Sequence, residues 1–217
     1  MSEQTPSATI EAPERAGRSR LALLVVATLV LVALSILFLD TPIARAMPEW
    51  LNTSETVEVL ETLAYHLGDW TLAPAVLAIV LILAGERWRR FLLSFVVAYA
   101  VRTVGVESLK WLTGRPRPRQ MDGATTFYGP SAKFHAFPSG HAAFAFMFAT
   151  LLSAYWPRWR VLWYVLAVYV SLSRMVSDAH FLSDIIMGGL IGVLAAVWML
   201  RRWPPQPPAD QETVGEE

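Results

Sequence analysis

From Leu21 to Leu39 the chain carries no charge and is apolar almost throughout. A helix needs about 20 such residues to cross a bilayer, so this run predicts a first transmembrane helix. Five further apolar segments follow, at 70–84, 91–112, 142–156, 161–176 and 185–200. Several are short for a span, but their interruptions are placed consistently. Arg102, Glu107 and Lys110 fall late in the third segment, Arg174 at the end of the fifth and Asp184 at the start of the sixth. In alternating topology those ends share one side of the membrane. The helices are therefore expected to outrun their apolar cores and to gather polar ends at one face. The pattern predicts an all-α integral membrane protein, a bundle of six transmembrane helices.

Between the first two spans the pattern changes. Asn52 and Glu55 suit a capping box, and Val57, Leu60, Ala64 and Leu67 then share one helical face, with Glu55, Glu58 and Glu61 mostly elsewhere. With Trp50 and Trp70 at its flanks, this stretch reads as a short amphipathic helix at the membrane surface, or as a connector packed on the bundle. Residues 1–20 are polar and end in Arg15, Arg18 and Arg20, which suggests a disordered cytoplasmic tail. Residues 204–217 turn Pro-rich and then acidic, a second disordered tail, leaving 21–203 as the membrane domain. Ala44-Arg45-Ala46 resembles a signal-peptidase site, so cleavage of residues 1–46 stays open. The apolar run exceeds a usual signal core of about 7–15 residues, which favours an uncleaved helix.

Basic residues orient the bundle. Arg15, Arg18, Arg20, Arg87, Arg89, Arg90, Arg158, Arg160, Arg201 and Arg202 fall on one side, which the excess in short loops assigns to the cytoplasm. Both termini are then inside, and the polar helix ends face the periplasm or exterior. Composition adds exclusions. The 217 residues have zero formal net charge, are 54% hydrophobic and include no Cys. Disulfides, a thiol nucleophile and cysteine metal sites are excluded, and no general nucleic-acid signal is present.

The densest chemistry lies in Ser173–Asp184, where Arg174, Asp178, His180 and Asp184 sit between two apolar segments. Ionisable groups at such a boundary are costly and point to function. His180 and Asp184 are i and i+4, so on a helix the carboxylate would hold one imidazole nitrogen. That arrangement suits a nucleophile or base, or equally a buried ion pair tying two helices. Two other outward stretches carry Lys110 with Arg117, and Pro138-Ser139-Gly140-His141 ahead of an apolar helix. Gathered cations require an anion, and Arg forks suit phosphate oxygens. Helix-start amides beside Gly140 would admit the same anion closely.

The ordered motifs K-x6-RP (Lys110, Arg117), PSGH (138–141) and SR-x5-H-x3-D (Arg174, His180, Asp184) resemble the type-2 phosphatidic acid phosphatase family. That family shares its catalytic core with vanadium haloperoxidases and bacterial acid phosphatases. The resemblance implies that His180 attacks phosphorus to form a phosphohistidine and that Asp184 orients it. His141 would protonate the leaving alkoxide and then activate water. Lys110, Arg117, Arg174, Ser139 and the Gly140 amide would hold the phosphoryl oxygens. No cofactor is implied, and no carboxylate cluster near the motifs suggests a two-metal site.

The expected activity is hydrolysis of a lipid phosphate monoester or diphosphate at the outer face of the inner membrane. Its partners are the bilayer and a phosphorylated lipid, with no nucleic acid and no obligate protein partner. An undecaprenyl-diphosphate phosphatase is the narrower alternative. A non-catalytic binder of anionic lipid and a haloperoxidase are the rivals. Outside the motifs, Arg102 and Glu107 suggest an interhelical ion pair. Arg115, Arg119 and Lys133 suggest a seat for a second phosphate or general steering of anions.

Overall fold

The computed structural model describes residues 11–46, 58–59, 62–63, 65–66, 78–79, 82, 88–120 and 126–205. Every regular element among them is helical. Helix α1 (Glu11–Leu34) runs through a π-helical turn (Ser35–Leu39) into α2 (Asp40–Ala46). Then come α3 (Trp88–Thr113), α4 (Gly140–Tyr155), α5 (Arg160–Val176) and α6 (Leu182–Arg202). Single 3-10 turns at Pro118–Gln120 and Pro157–Trp159 break the connections.

Among the described residues, three stretches are long and apolar enough to cross a membrane: Ser19–Ala46, Trp88–Gln120 and Leu182–Arg202. The helix over Gly140–Tyr155 is apolar but shorter. The expected second span, 70–84, lies outside the described residues except at 78, 79 and 82, which are helical. The expected interfacial helix, 52–67, is likewise described only at Glu58, Val59, Thr62, Leu63, Tyr65 and His66, all helical. Helix α1 starts at Glu11, so the second half of the expected N-terminal tail is helical. A membrane helix propagates outward into flanking residues at little cost once it is nucleated.

Helix α4 is the centre of the packing. Phe144, Met147 and Leu151 from α4 meet Phe91 and Ala98 from α3 and Ala196 and Met199 from α6. Helix α6 closes on α4 at backbone range. A Cβ at Gly192 would collide with the Ala143 carbonyl oxygen, and one at Gly188 with that of Ser139. In a membrane, where lipid is as apolar as a leucine, such close packing replaces the hydrophobic drive between helices. The outer face of α1 and of the π-helical turn that continues it exposes Leu23, Leu24, Leu37 and Phe38, a surface suited to lipid.

The expected Arg102–Glu107 pair is replaced by other contacts. The Arg102 guanidinium lies over the rings of Tyr99 (4.7 Å) and Phe144 (5.7 Å), while Glu107 pairs with Lys110 at 2.8 Å. Residues 107 and 110 are one turn apart on the same helix, which makes theirs the shorter reach.

Candidate active site

Backbone hydrogen bonds stitch the three motif stretches together at one end of the bundle. The Ala136 N–H donates to the Arg115 carbonyl (2.9 Å), and the Ser139 N–H to the Asp184 carbonyl (3.0 Å). The Arg119 N–H donates to the Asp178 carbonyl (3.3 Å), and the Thr113 hydroxyl to the Phe137 carbonyl (3.0 Å). The sharp turn after α3 depends on Gly114, whose φ of 51° is left-handed. A Cβ there would also strike the Gly129 carbonyl, so only glycine fits.

Ser139 is fully buried and caps α4, its hydroxyl accepting from the Ala142 N–H at 3.4 Å. Gly140 opens the helix. The Lys110 ammonium lies 3.6 Å from where a Gly140 Cβ would stand, so that cation faces the positive end of α4. An anion placed there would meet both. Arg174, in the last turn of α5, is buried, and its carbonyl accepts the amides of Ala179 and His180 (3.1 and 3.0 Å). That tight turn places His180 beside the end of α5. Asp178 stands in it with a φ of 50°, a left-handed conformation that aspartate tolerates better than most side chains. Arg117 is half-buried, and the bond from Arg119 to Asp178 draws its segment against the His180 turn.

The geometry of His180 differs from the helical spacing expected of it. Helix α6 begins only at Leu182, so His180 stands outside the helix and does not share a face with Asp184. Its Nδ1 bonds the Ala136 carbonyl oxygen at 2.8 Å, and the nearer Asp184 oxygen is 3.5 Å away. A carbonyl oxygen only accepts, so Nδ1 carries the proton and Nε2 keeps its lone pair in the neutral ring.

Asp184 is occupied elsewhere. Its Oδ2 accepts the Phe181 N–H (2.8 Å), capping α6, and its Oδ1 is paired with the Arg115 guanidinium (2.5 Å). Arg115 is wholly buried and also pairs with Asp40 at 2.6 Å. It is thereby withdrawn from the role of seating a second phosphate or steering anions.

Two residues outside the motifs belong to the site. Asp40, at the start of α2, takes hydrogen bonds from the hydroxyls of Ser35 (2.7 Å) and Ser183 (2.5 Å) as well as from Arg115. Its signal in the sequence was an acid directly following an apolar span, the kind of position that favours function. Tyr65 places its ring 5.2 Å from the His141 ring and 5.2 Å from the Arg174 guanidinium. No motif contains it, and its register on an amphipathic stretch gave no sign of these contacts. Among the described residues no group of three or more His, Asp or Glu is placed to hold a metal ion.

Comparison with known proteins identifies the family of the chain. Residues 91–207 match the family model described as the PAP2 superfamily. The chain is 28% identical over 190 residues to a lipid A 1-phosphatase of Rhizobium etli, covering 76% of this chain and 79% of that protein. Its fold is similar to that of Aquifex aeolicus LpxE, with a TM-score of 0.60 and 23% identity over 75% of this chain and 95% of that one. A transmembrane PAP2 type phosphatidylglycerolphosphate phosphatase from Bacillus subtilis has a TM-score of 0.56 and 21% identity, covering 91% and 98%. Motifs joined at one end of an apolar helical bundle, together with a family match over more than half of the chain, lead to one conclusion: the protein belongs to the PAP2 superfamily and is a membrane-embedded lipid phosphatase.

Proposed function

We propose that this chain is a six-span phosphatase of the inner membrane that removes phosphate from a lipid headgroup at the outer face, through a phosphohistidine on His180. The observation that carries this reading is the Nδ1 bond of His180 to the Ala136 carbonyl, which leaves Nε2 as the nucleophilic nitrogen. Lys110, in the last turn of α3 with its ammonium beside the start of α4, and the buried Arg174 supply positive charge for the phosphoryl oxygens. Phosphate esters hydrolyse very slowly in water, so stabilising the charge that develops in the transition state is the main task.

In the first step Nε2 bonds to phosphorus and the bond to the lipid oxygen breaks, while His141 donates a proton to the departing alkoxide. In the second, His141 takes a proton from water, the water oxygen bonds to phosphorus and the P–N bond breaks. Inorganic phosphate then leaves. Lys110, Arg117, Arg174, Ser139 and the Gly140 amide hold the phosphoryl oxygens throughout. The concentration of Arg in alternate loops supports an outward site with both termini in the cytoplasm. A site at headgroup level suits a substrate whose tails stay in lipid.

A diphosphate lipid is the second reading. It is favoured by a cavity of about 230 Å³ just beyond Pro118, lined by Arg45, Arg119, Thr41 and Asp178. The experiment is a quench of detergent-purified protein with substrates labelled at the terminal phosphate, run side by side with phosphatidate, phosphatidylglycerol phosphate, a lipid A and undecaprenyl diphosphate. A labelled peptide containing His180, alkali-stable and acid-labile, is expected from the wild-type protein, and none from His180→Ala. Activity of His180→Ala within about tenfold of wild type, a loss of at most about 1.4 kcal/mol of barrier lowering, would reject the scheme.

A further inference from the structure

The motif acid Asp184 is held by a part of the chain that no motif includes. Arg115 forms the link. Its Nη1 donates to Asp184 Oδ1 (2.5 Å) and to the Ser183 hydroxyl (2.7 Å), and its Nη2 donates to Asp40 Oδ2 (2.6 Å). The guanidinium lies 4.2 Å from the Phe181 ring and 4.9 Å from that of Phe127. Asp40 completes the clamp by accepting the Ser183 N–H at 3.0 Å and the Ser35 hydroxyl at 2.7 Å. The side chains of Arg115, Asp40 and Asp184 are all inaccessible to solvent.

The charge count explains why two acids are present. One guanidinium against Asp184 alone would cancel its charge. With Asp40 on the second nitrogen, the trio keeps one net negative charge, in surroundings where water does not screen it. The carboxylate of Asp184 stands 3.5 Å from the Nδ1 of His180. As Nε2 bonds to phosphorus, the imidazole gives up electron density and its ring becomes cationic. The Nδ1 proton stays on the Ala136 carbonyl bond, and nothing is transferred to Asp184.

We propose that Asp40 and Arg115 are positioning residues for phosphoryl transfer, fixing the Asp184 carboxylate so that its charge stabilises the cationic His180 ring. The inference rests on His180 being the nucleophile. It makes the end of the first membrane helix part of the catalytic apparatus as well as an anchor. The π-helical turn at Ser35–Leu39 shifts the register immediately before Asp40, and such turns recur at functional sites. Arginine suits the clamp because two nitrogens of one planar group reach two carboxylates on different elements in a fixed geometry, where a lysine would offer a single nitrogen.

The test uses the full chain in detergent with Asp40→Asn, Arg115→Lys and the double variant. Each single change is expected to lower kcat per folded molecule by about 10- to 100-fold with KM within about threefold, and the double variant to be no worse than the poorer single. A purely structural clamp would lower yield and Tm while leaving kcat of the folded fraction within about threefold in both singles, and that result would overturn the proposal.

Should either variant fail to fold, Ser183→Ala removes one hydroxyl from the clamp and is expected to give the same split at about three- to tenfold, with an unchanged kcat counting against it. Histidine nitrogen NMR supplies a readout independent of turnover, since the chain has four histidines. The His180 signal, identified by its loss in His180→Asn, should move in Asp40→Asn. If His180→Ala stays active while that signal still moves, the nucleophile assignment fails. If His180 carries the phosphoryl group and Asp40→Asn changes neither kcat nor the signal, the clamp proposal fails alone.

Discussion

The Nδ1 of His180 lies 2.8 Å from the carbonyl oxygen of Ala136 and 3.5 Å from the carboxylate of Asp184. Ala136 precedes the Phe137–Pro138 bond and the Ser139 cap, so the element that builds the start of α4 also sets the tautomer of His180. A main-chain acceptor cannot be lost by substitution. In the proposed mechanism orientation and charge are therefore divided between two groups, the carbonyl fixing the ring and the acid offsetting its charge.

That division predicts two separate effects at Asp184. In Asp184→Asn one amide oxygen replaces two accepting carboxylate oxygens, so with that oxygen on the Phe181 N–H the amide NH2 faces the Arg115 guanidinium, while Ala136 still holds the ring. Asn and Ala alike take one of the two carboxylates from a buried guanidinium, a loss of about 3–5 kcal/mol in comparable pairs. The folded fraction of Asp184→Asn should bind substrate normally, with kcat lowered by about 10²-fold for the missing charge. Thermal unfolding in detergent reads the first effect and phosphate-release kinetics the second. A Tm of Asp184→Asn equal to that of the wild type would contradict the account.

The residues proposed for the site stand out in the sequence because phosphate chemistry calls for particular side chains, and backbone hydrogen bonds join their segments at one end of the bundle. What escaped was tertiary. The spacing of His180 and Asp184 fits a helix, but the chain reverses at Asp178 and starts α6 only at Leu182. Periodicity carries no information about such a break. Arg115 and Arg119 are four residues apart with the same charge, yet one is sealed between carboxylates and the other lines a cavity. Only the position of Asp40, distant in sequence, distinguishes them.

Tyr65 offers a separate test, because its ring meets both Arg174 and His141 from outside the motifs. A cation over an aromatic face gains about 1 kcal/mol at partly exposed sites, so Tyr65→Ala should raise KM about fivefold through a less ordered Arg174. Tyr65→Phe keeps the ring and should stay within about twofold of wild type, since phenylalanine also presents a negative face. Steady-state kinetics on a soluble short-chain lipid phosphate would measure both. A loss in Phe matching that in Ala would transfer the role from the ring to the hydroxyl.

Lys110 and Glu107 form an ion pair at 2.8 Å, but the two ends are not equivalent. The Glu107 side chain is 55% exposed, whereas that of Lys110 is 17% exposed, with its ammonium turned to the start of α4. An exposed pair contributes at most about 1 kcal/mol, so Glu107→Gln should change stability by less than that and leave kcat/KM within about threefold. Lys110→Met removes a cation from the place proposed for the phosphoryl oxygens beside the α4 amides, and a loss of about 10²- to 10³-fold is expected. Phosphate release measured for both variants at low and high salt checks the asymmetry. Comparable losses at the two positions would mean that the pair acts as a unit and that Lys110 has no separate hold on the substrate.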